Sequence, residues 1–168
     1  MTMHVQIETQ RLQLRPLNLE DDRFIEKLLN TSGWLTFIGD RNVKNSSDAT
    51  AYILKILNDS TTYYTVFQHK ETAGPIGIVT FLYRDTQQYP DLGFAILPEY
   101  EKKGYAYEAA NAYLTEILKT LKMEYVLGIT LPDNNSSINL LERLGFRFEK
   151  KILKADQELS VYSRSTTR

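Results

Sequence analysis

Residues 100–110 read Tyr-Glu-Lys-Lys-Gly-Tyr-Ala-Tyr-Glu-Ala-Ala. They join a strand-like run, residues 92–97, to a helical pattern that continues to about residue 121. A loop of this kind suits an anion. The first N–H groups of a helix have no intrahelical partner, and the helix dipole adds partial positive charge at the same end. Gly104 lets backbone approach a ligand closely, and Lys102 and Lys103 supply mobile positive charge. A pyrophosphate fits that description. Downstream, residues 132–146 read Pro-Asp-Asn-Asn-Ser-Ser-Ile-Asn-Leu-Leu-Glu-Arg-Leu-Gly-Phe. Asn134 can cap a helix or hydrogen-bond a ligand through its amide, and Ser137 offers a hydroxyl in the first helical turn.

These groups need elements to hold them. Leu12 and Leu14 alternate with polar neighbours, which predicts a half-buried strand ended by Pro16. Asn18 is a suitable N-cap for a helix over 19–29, with Phe24, Ile25, Leu28 and Leu29 on one face. Residues 34–45 read as irregular. Ser46 or Ser47 is expected to cap a second helix to about residue 58, with Ala51, Ile53, Leu54 and Leu57 inward. Residues 63–69 and 76–83 read as a strand pair joined by a turn at 72–75. Strands over 91–97 and 125–131 flank the loop and its long helix. A short helix over 135–144 ends at Gly145, and residues 146–153 and 158–165 read as a final antiparallel pair.

Composition narrows the function classes. A chain of 168 residues has room for one domain with a full core, so residues 1–168 are expected to form a single unit. The formal net charge of −1 argues against a nucleic-acid or anionic-membrane surface. The absence of cysteine removes disulfides, thiolate metal sites and a cysteine nucleophile. Two histidines, His4 and His69, show no metal-ligand spacing, so no metal is expected. No signal core or membrane-length apolar run is present, and a cytoplasmic location is the expectation. A dinucleotide redox enzyme is disfavoured, because the loop lacks G-x-G-x-x-G and lies late in the chain.

A third segment completes a pattern. Residues 8–17 read Glu-Thr-Gln-Arg-Leu-Gln-Leu-Arg-Pro-Leu. Together the three segments resemble the GNAT superfamily of N-acetyltransferases, in the branch that includes the ribosomal-protein N-terminal acetyltransferases. The superfamily loop pattern is (Gln/Arg)-x-x-Gly-x-(Gly/Ala), and here Glu101, Lys102, Lys103, Gly104, Tyr105 and Ala106 occupy it. Glu101 departs from it, and Lys102 replaces a frequent glycine. The second pattern, Asn-x-x-Ser/Ala before a short helix ending in Gly-Phe, matches Asn134, Ser137, Gly145 and Phe146.

The resemblance implies an α/β acyl-CoA N-acyltransferase fold. A mixed, mostly antiparallel sheet would be flanked by helices in the order β-α-α-β-β-β-α-β-α-β-β. It implies acetyl-CoA as acetyl donor and a primary amine as acceptor, either a protein N-terminus or a small molecule. The amine would attack directly in a ternary complex, since no side chain stands out as a covalent nucleophile. Backbone of Lys102, Lys103, Gly104, Tyr105, Ala106 and Tyr107 would hold the diphosphate. Ile96 or Leu97 would polarise the thioester carbonyl along the pantetheine arm, and Asn134 would bind the arm or cap its helix. Leu141 stands where many members have an acidic tyrosine, which leaves Ser137 to donate to the leaving sulfur. Asp91, Glu108 and Asp156 are the candidate bases, with Asp91 reaching the acceptor through a water and Glu108 better suited to supporting the loop. Phe37, Tyr63, Tyr83 and Tyr89 are candidate acceptor contacts, and Asp40 and Arg41 lie on the loop that borders the acceptor mouth. Homodimers are common in that branch. A rival reading is a non-catalytic acyl-CoA-binding sensor, for which Leu141 and Glu101 speak.

Overall fold

The first strands form where alternation buries leucines. In the computed structural model, which describes residues 3–72 and 74–167, a two-residue strand β1 (Ile7–Glu8) pairs with β2 (Leu12–Pro16), and Leu12 and Leu14 point into the core. Asn18 then turns strand into helix. Its side chain accepts from the Glu20 N–H, and Asp21 accepts from the Asn18 N–H, a reciprocal cap. Asp21 is buried and takes two hydrogen bonds from Arg15, at 2.9 and 2.7 Å. That pair ties β2 to the 3₁₀ turn Leu19–Asp21, which runs on into helix α1 (Asp22–Leu29).

Two local expectations need correction here. The stretch from Trp34 begins inside a helix, α2 (Ser32–Phe37), rather than an irregular segment. Thr31 caps it by accepting from the Trp34 N–H at 3.3 Å, and the buried Trp34 ring anchors it. Helix α3 (Ser46–Leu57) is capped by Asn45, not by Ser46 or Ser47. It buries Ala49 and Ile53, with Tyr52 and Ile56 half-buried, whereas Ala51, Leu54 and Leu57 face outward. The buried stripe follows the i, i+4, i+7 spacing, so Ile53 is inward as expected and the other three expected residues lie on the neighbouring face.

The rest follows the expected order. Strands β3 (Thr62–His69) and β4 (Pro75–Leu82) form the antiparallel pair, and Ala73 of their turn lies outside the described residues. Strand β5 (Asp91–Ile96) pairs with β4, and helix α4 (Tyr105–Ile117) stops four residues short of 121. Strand β6 (Tyr125–Thr130), helix α5 (Asn135–Arg143), β7 (Arg147–Lys154) and β8 (Gln157–Ser165) complete the chain. The eight strands lie in the order β1-β2-β3-β4-β5-β6-β8-β7. Every pairing is antiparallel except β5 with β6. The mixed, mostly antiparallel fold class is therefore the observed one.

Strand alternation feeds a core on each face of this sheet. Phe67, Val79 and Phe81 meet Tyr113 of α4 and Leu141 of α5 on one side. Val66 and Ile78 meet Ile25 of α1, Trp34 of α2 and Ile53 of α3 on the other. Strand β7 is one outer edge, opposite the two-residue β1. It carries Lys150, Lys151 and Lys154, the charged residues with which exposed edges resist pairing with another chain.

Gly77 sets the fit between β3, β4 and β5. A Cβ there would lie 2.2 Å from Phe67 Cζ and 2.6 Å from the Ala95 carbonyl oxygen. The backbone carbonyl cannot swing aside, so Gly77→Ala is expected to destabilise the protein by about 1–3 kcal/mol. Urea unfolding should show a lower midpoint with an unchanged slope. An unchanged midpoint would mean that the sheet relaxes around the methyl group.

Candidate active site at the divergence of two parallel strands

β5 and β6 meet at one register pair, Asp91 opposite Leu127, where the Leu127 N–H donates to the Pro90 carbonyl at 2.8 Å. Beyond that point they part. Successive N–H groups of a strand point to opposite edges. The Leu97 N–H points to β4 and donates to the Ile76 carbonyl at 2.9 Å. By alternation the N–H groups of Phe94 and Ile96 point to the other edge, into the gap. Of the two expected thioester donors, Leu97 is thus committed to the sheet and Ile96 is available. Phe94, which the sequence did not single out, joins it.

Pro98 ends strand pairing and opens a 3₁₀ turn, Pro98–Tyr100. Lys102 and Gly104 then take left-handed conformations, with φ of 60° and 82°. From Lys102 through Tyr107 no backbone N–H has an acceptor among the described residues. The first helical bond runs from the Glu108 N–H to the Gly104 carbonyl, at 3.0 Å. The six backbone groups expected to hold a diphosphate are therefore all free donors. Glu101, Lys102 and Lys103 are exposed.

A clamp from the start of the chain fixes this loop. Glu108 accepts from Thr9 Oγ1 at 2.6 Å, from the Arg11 N–H at 2.9 Å and from Arg11 Nε at 2.7 Å. Arg11 Nη1 donates to the Lys103 carbonyl at 2.9 Å, and its guanidinium lies over the Tyr105 ring. Burial works to raise the Glu108 carboxyl. The hydrogen bonds from Thr9 and Arg11 outweigh it and hold the group below its usual value. Glu108 is thus occupied in holding the loop. Arg11 and Thr9 were visible in the sequence only as part of the N-terminal pattern, because their partner lies about a hundred residues away.

Asn134 caps α5, its Oδ1 accepting from the Ser137 N–H at 3.3 Å. That leaves its Nδ2 as a donor. The Ser137 hydroxyl has no partner among the described residues, and the residue is half-buried. Leu141 is buried against Gly128 of β6, so the position of the family tyrosine is filled by core. Asp91 sits at the vertex of the gap, 4% exposed, and accepts from Arg84 Nε. Burial pushes its carboxyl up, and Arg84 and Lys154 oppose that without cancelling it. On the face that carries Asp91 and Ala95, the hydroxyls of Tyr52 and Tyr64 lie 2.8 Å apart. Asp156 is at the exposed tip of the β7–β8 turn, with φ of 63°. Tyr63 and Tyr83 stack on the α4 side of the sheet, Tyr89 packs on Tyr125, and Phe37 ends α2. Asp40 and Arg41 are in the exposed part of the α2–α3 connection.

A family model described as an acetyltransferase (GNAT) domain matches residues 11–147. The chain belongs to the GNAT acetyltransferases. As a member of this family it is an N-acetyltransferase. This GNAT protein is 27% identical over 143 residues to YnaD, an uncharacterized N-acetyltransferase of Bacillus subtilis (strain 168), a match that covers 85% of this chain and 83% of that protein. Its fold is similar to ribosomal-protein-S5-alanine acetyltransferase from Vibrio fischeri, with a TM-score of 0.81, 19% identity, and coverage of 96% and 97% of the two chains. It is also similar to spermidine N-acetyltransferase from Vibrio cholerae in complex with CoA and spermine, with a TM-score of 0.79, 19% identity, and coverage of 94% and 97%. No helix among the described residues is long and apolar enough to cross a membrane, and they contain no cluster of potential metal ligands.

The Glu108 clamp has a pH signature. A carboxyl held below its usual value of 4.5 contributes stability above that value, and the contribution is lost as pH falls through the folded value. Glu108→Gln should therefore cost about 1–3 kcal/mol at about pH 7 and less at about pH 3.5. Urea titrations of both proteins at the two pH values check this. An equal deficit at both would show that the carboxylate charge is not what holds the loop.

Proposed function

We propose that this GNAT enzyme transfers the acetyl group of acetyl-CoA to a primary amine, by direct attack in a ternary complex. The observation that carries it is the unbroken run of free N–H groups from Lys102 to Tyr107, placed directly after a strand edge that is itself unpaired. The loop donors and the two lysines suit the diphosphate. The Phe94 and Ile96 N–H groups suit the amide chain of the pantetheine arm, as an added strand would use them. One of them polarises the thioester carbonyl and stabilises the oxyanion as the amine attacks. Asn134 Nδ2 donates to the arm. Asp91, with its carboxyl raised above its usual value by burial, takes the proton that the attacking amine gives up, through a water. The Ser137 hydroxyl donates a hydrogen bond to the sulfur as the C–S bond breaks. Asp91 then releases its proton to water, the departing thiolate takes one up from water, and the products are an amide and CoA with its thiol protonated.

The structural neighbours support both halves of this assignment. One was solved with CoA and spermine, and the two are named for acceptors that carry primary amines. A second reading, an acyl-CoA-binding sensor without turnover, is favoured by one observation, the burial of Leu141 where the family tyrosine would stand.

Thermal shift with acetyl-CoA, then thiol release across an amine panel, separates the two. Stabilisation with amine-dependent thiol release is expected. Stabilisation with no turnover would favour the sensor, and no stabilisation would overturn both. Asp91→Asn should then lower kcat by about 10²-fold while leaving acetyl-CoA stabilisation intact. An unchanged kcat at neutral pH would remove Asp91 from the proton transfer.

A further inference from the structure

Beside the free N–H groups lies a cleft of about 410 Å³. Helix α4 presents Gly104, Tyr107 and Asn111 to it, the entry to β2 presents Thr9 and Arg11, and the end of α5 presents Arg143. Two guanidiniums from distant parts of the chain therefore line one hollow. Each lies over a tyrosine ring, Arg11 Cζ at 4.4 Å from the centre of Tyr105 and Arg143 Cζ at 4.3 Å from the centre of Tyr107. Stacking uses the face of a guanidinium and leaves its in-plane N–H donors free for a ligand.

The two arginines are not equivalent. Arg11 is neutralised by Glu108 and spends Nε and Nη1 on protein acceptors. Arg143 has neither an ion-pair partner nor a hydrogen bond among the described residues. The uncompensated positive charge of the cleft is therefore that of Arg143. A planar fork of unspent donors, held by stacking beside a polar cleft, matches the oxygens of a phosphomonoester dianion. Gly104 borders both the cleft and the row of free N–H groups. With the pantetheine arm running along β5, a diphosphate on that row turns its other end, the ribose of CoA, toward the mouth of the cleft.

We infer that Arg143 binds the 3′-phosphate of CoA, so that the enzyme prefers CoA to its 3′-dephospho form. This rests on the acetyl-CoA assignment above and adds a specificity-determining residue to it. Glu101 matters less on this account, because a cation outside the signature loop supplies anion affinity that the loop position does not.

Calorimetric titration of CoA and 3′-dephospho-CoA into the wild type and Arg143→Gln tests it. The wild type should bind CoA about tenfold more tightly than the dephospho form. Arg143→Gln should lose about tenfold affinity for CoA and stay within about twofold for dephospho-CoA. Arg143→Lys should recover part of the preference, since it keeps the charge without the fork. Equal binding of the two ligands by the wild type would overturn the inference. So would equal weakening of both by Arg143→Gln, the mark of a purely structural role. If the wild type binds neither ligand, the acetyl-CoA assignment itself fails, and the inference falls with it.

Discussion

A strand inside a sheet is expected to satisfy its backbone on both edges, and β5 does so on only one. It pairs along its length with β4 and meets β6 at a single register position. The proposed function depends on that departure. A gap between two parallel strands leaves donors spaced along an extended edge. The chain then leaves the edge at Pro98, makes one tight turn, and enters a helix whose first N–H groups are also unpaired. Strand, turn and helix start thus form one continuous line of donors. A long ligand with amides at one end and phosphates at the other can be read along it without any side chain changing role.

Such a line is useful only if it is held still, and charged pairs do the holding. Arg15 with Asp21 fixes the path from β2 into the first helix. Arg84 with Asp91 closes the β4–β5 connection at the vertex of the gap. Arg11 with Glu108 fixes the loop. In each pair the carboxylate is more buried than the arginine, so the acid is the member that depends on its partner for solvation. At Asp91 burial prevails over the partner and at Glu108 the partners prevail over burial, so the same kind of pair serves structure at Glu108 and is compatible with the proton transfer proposed for Asp91.

Much of this was legible before any coordinates. The loop around Gly104, the capping by Asn18 and Asn134, and the sequence of strands and helices rest on local rules that the structure obeys. What was not legible is what depends on distance or on competition. The clamp at Glu108 needs Thr9 and Arg11, far away in the chain. The commitment of Leu97 to β4 follows from strand register, which residue types alone do not set. Helix α2 was hidden by Thr31-Ser32-Gly33, a run with the composition of a loop, and only the burial of Trp34 makes it a helix. On α3 the expectation holds for Ile53 and fails for Ala51, Leu54 and Leu57, because apolar residues lie on two adjoining stripes and packing selects between them.

The loop clamp also bears on how the molecule comes together. Its two halves are separated by 97 residues, and the bonds between them cannot form until strand β2 has docked beneath α4. Closing so long a loop is entropically costly and belongs to the slow, non-local part of folding. The residues that would hold the diphosphate acquire their final shape only when the distant N-terminal strand is in place. Competence to bind is therefore a property of the whole folded chain rather than of the segment that carries the signature.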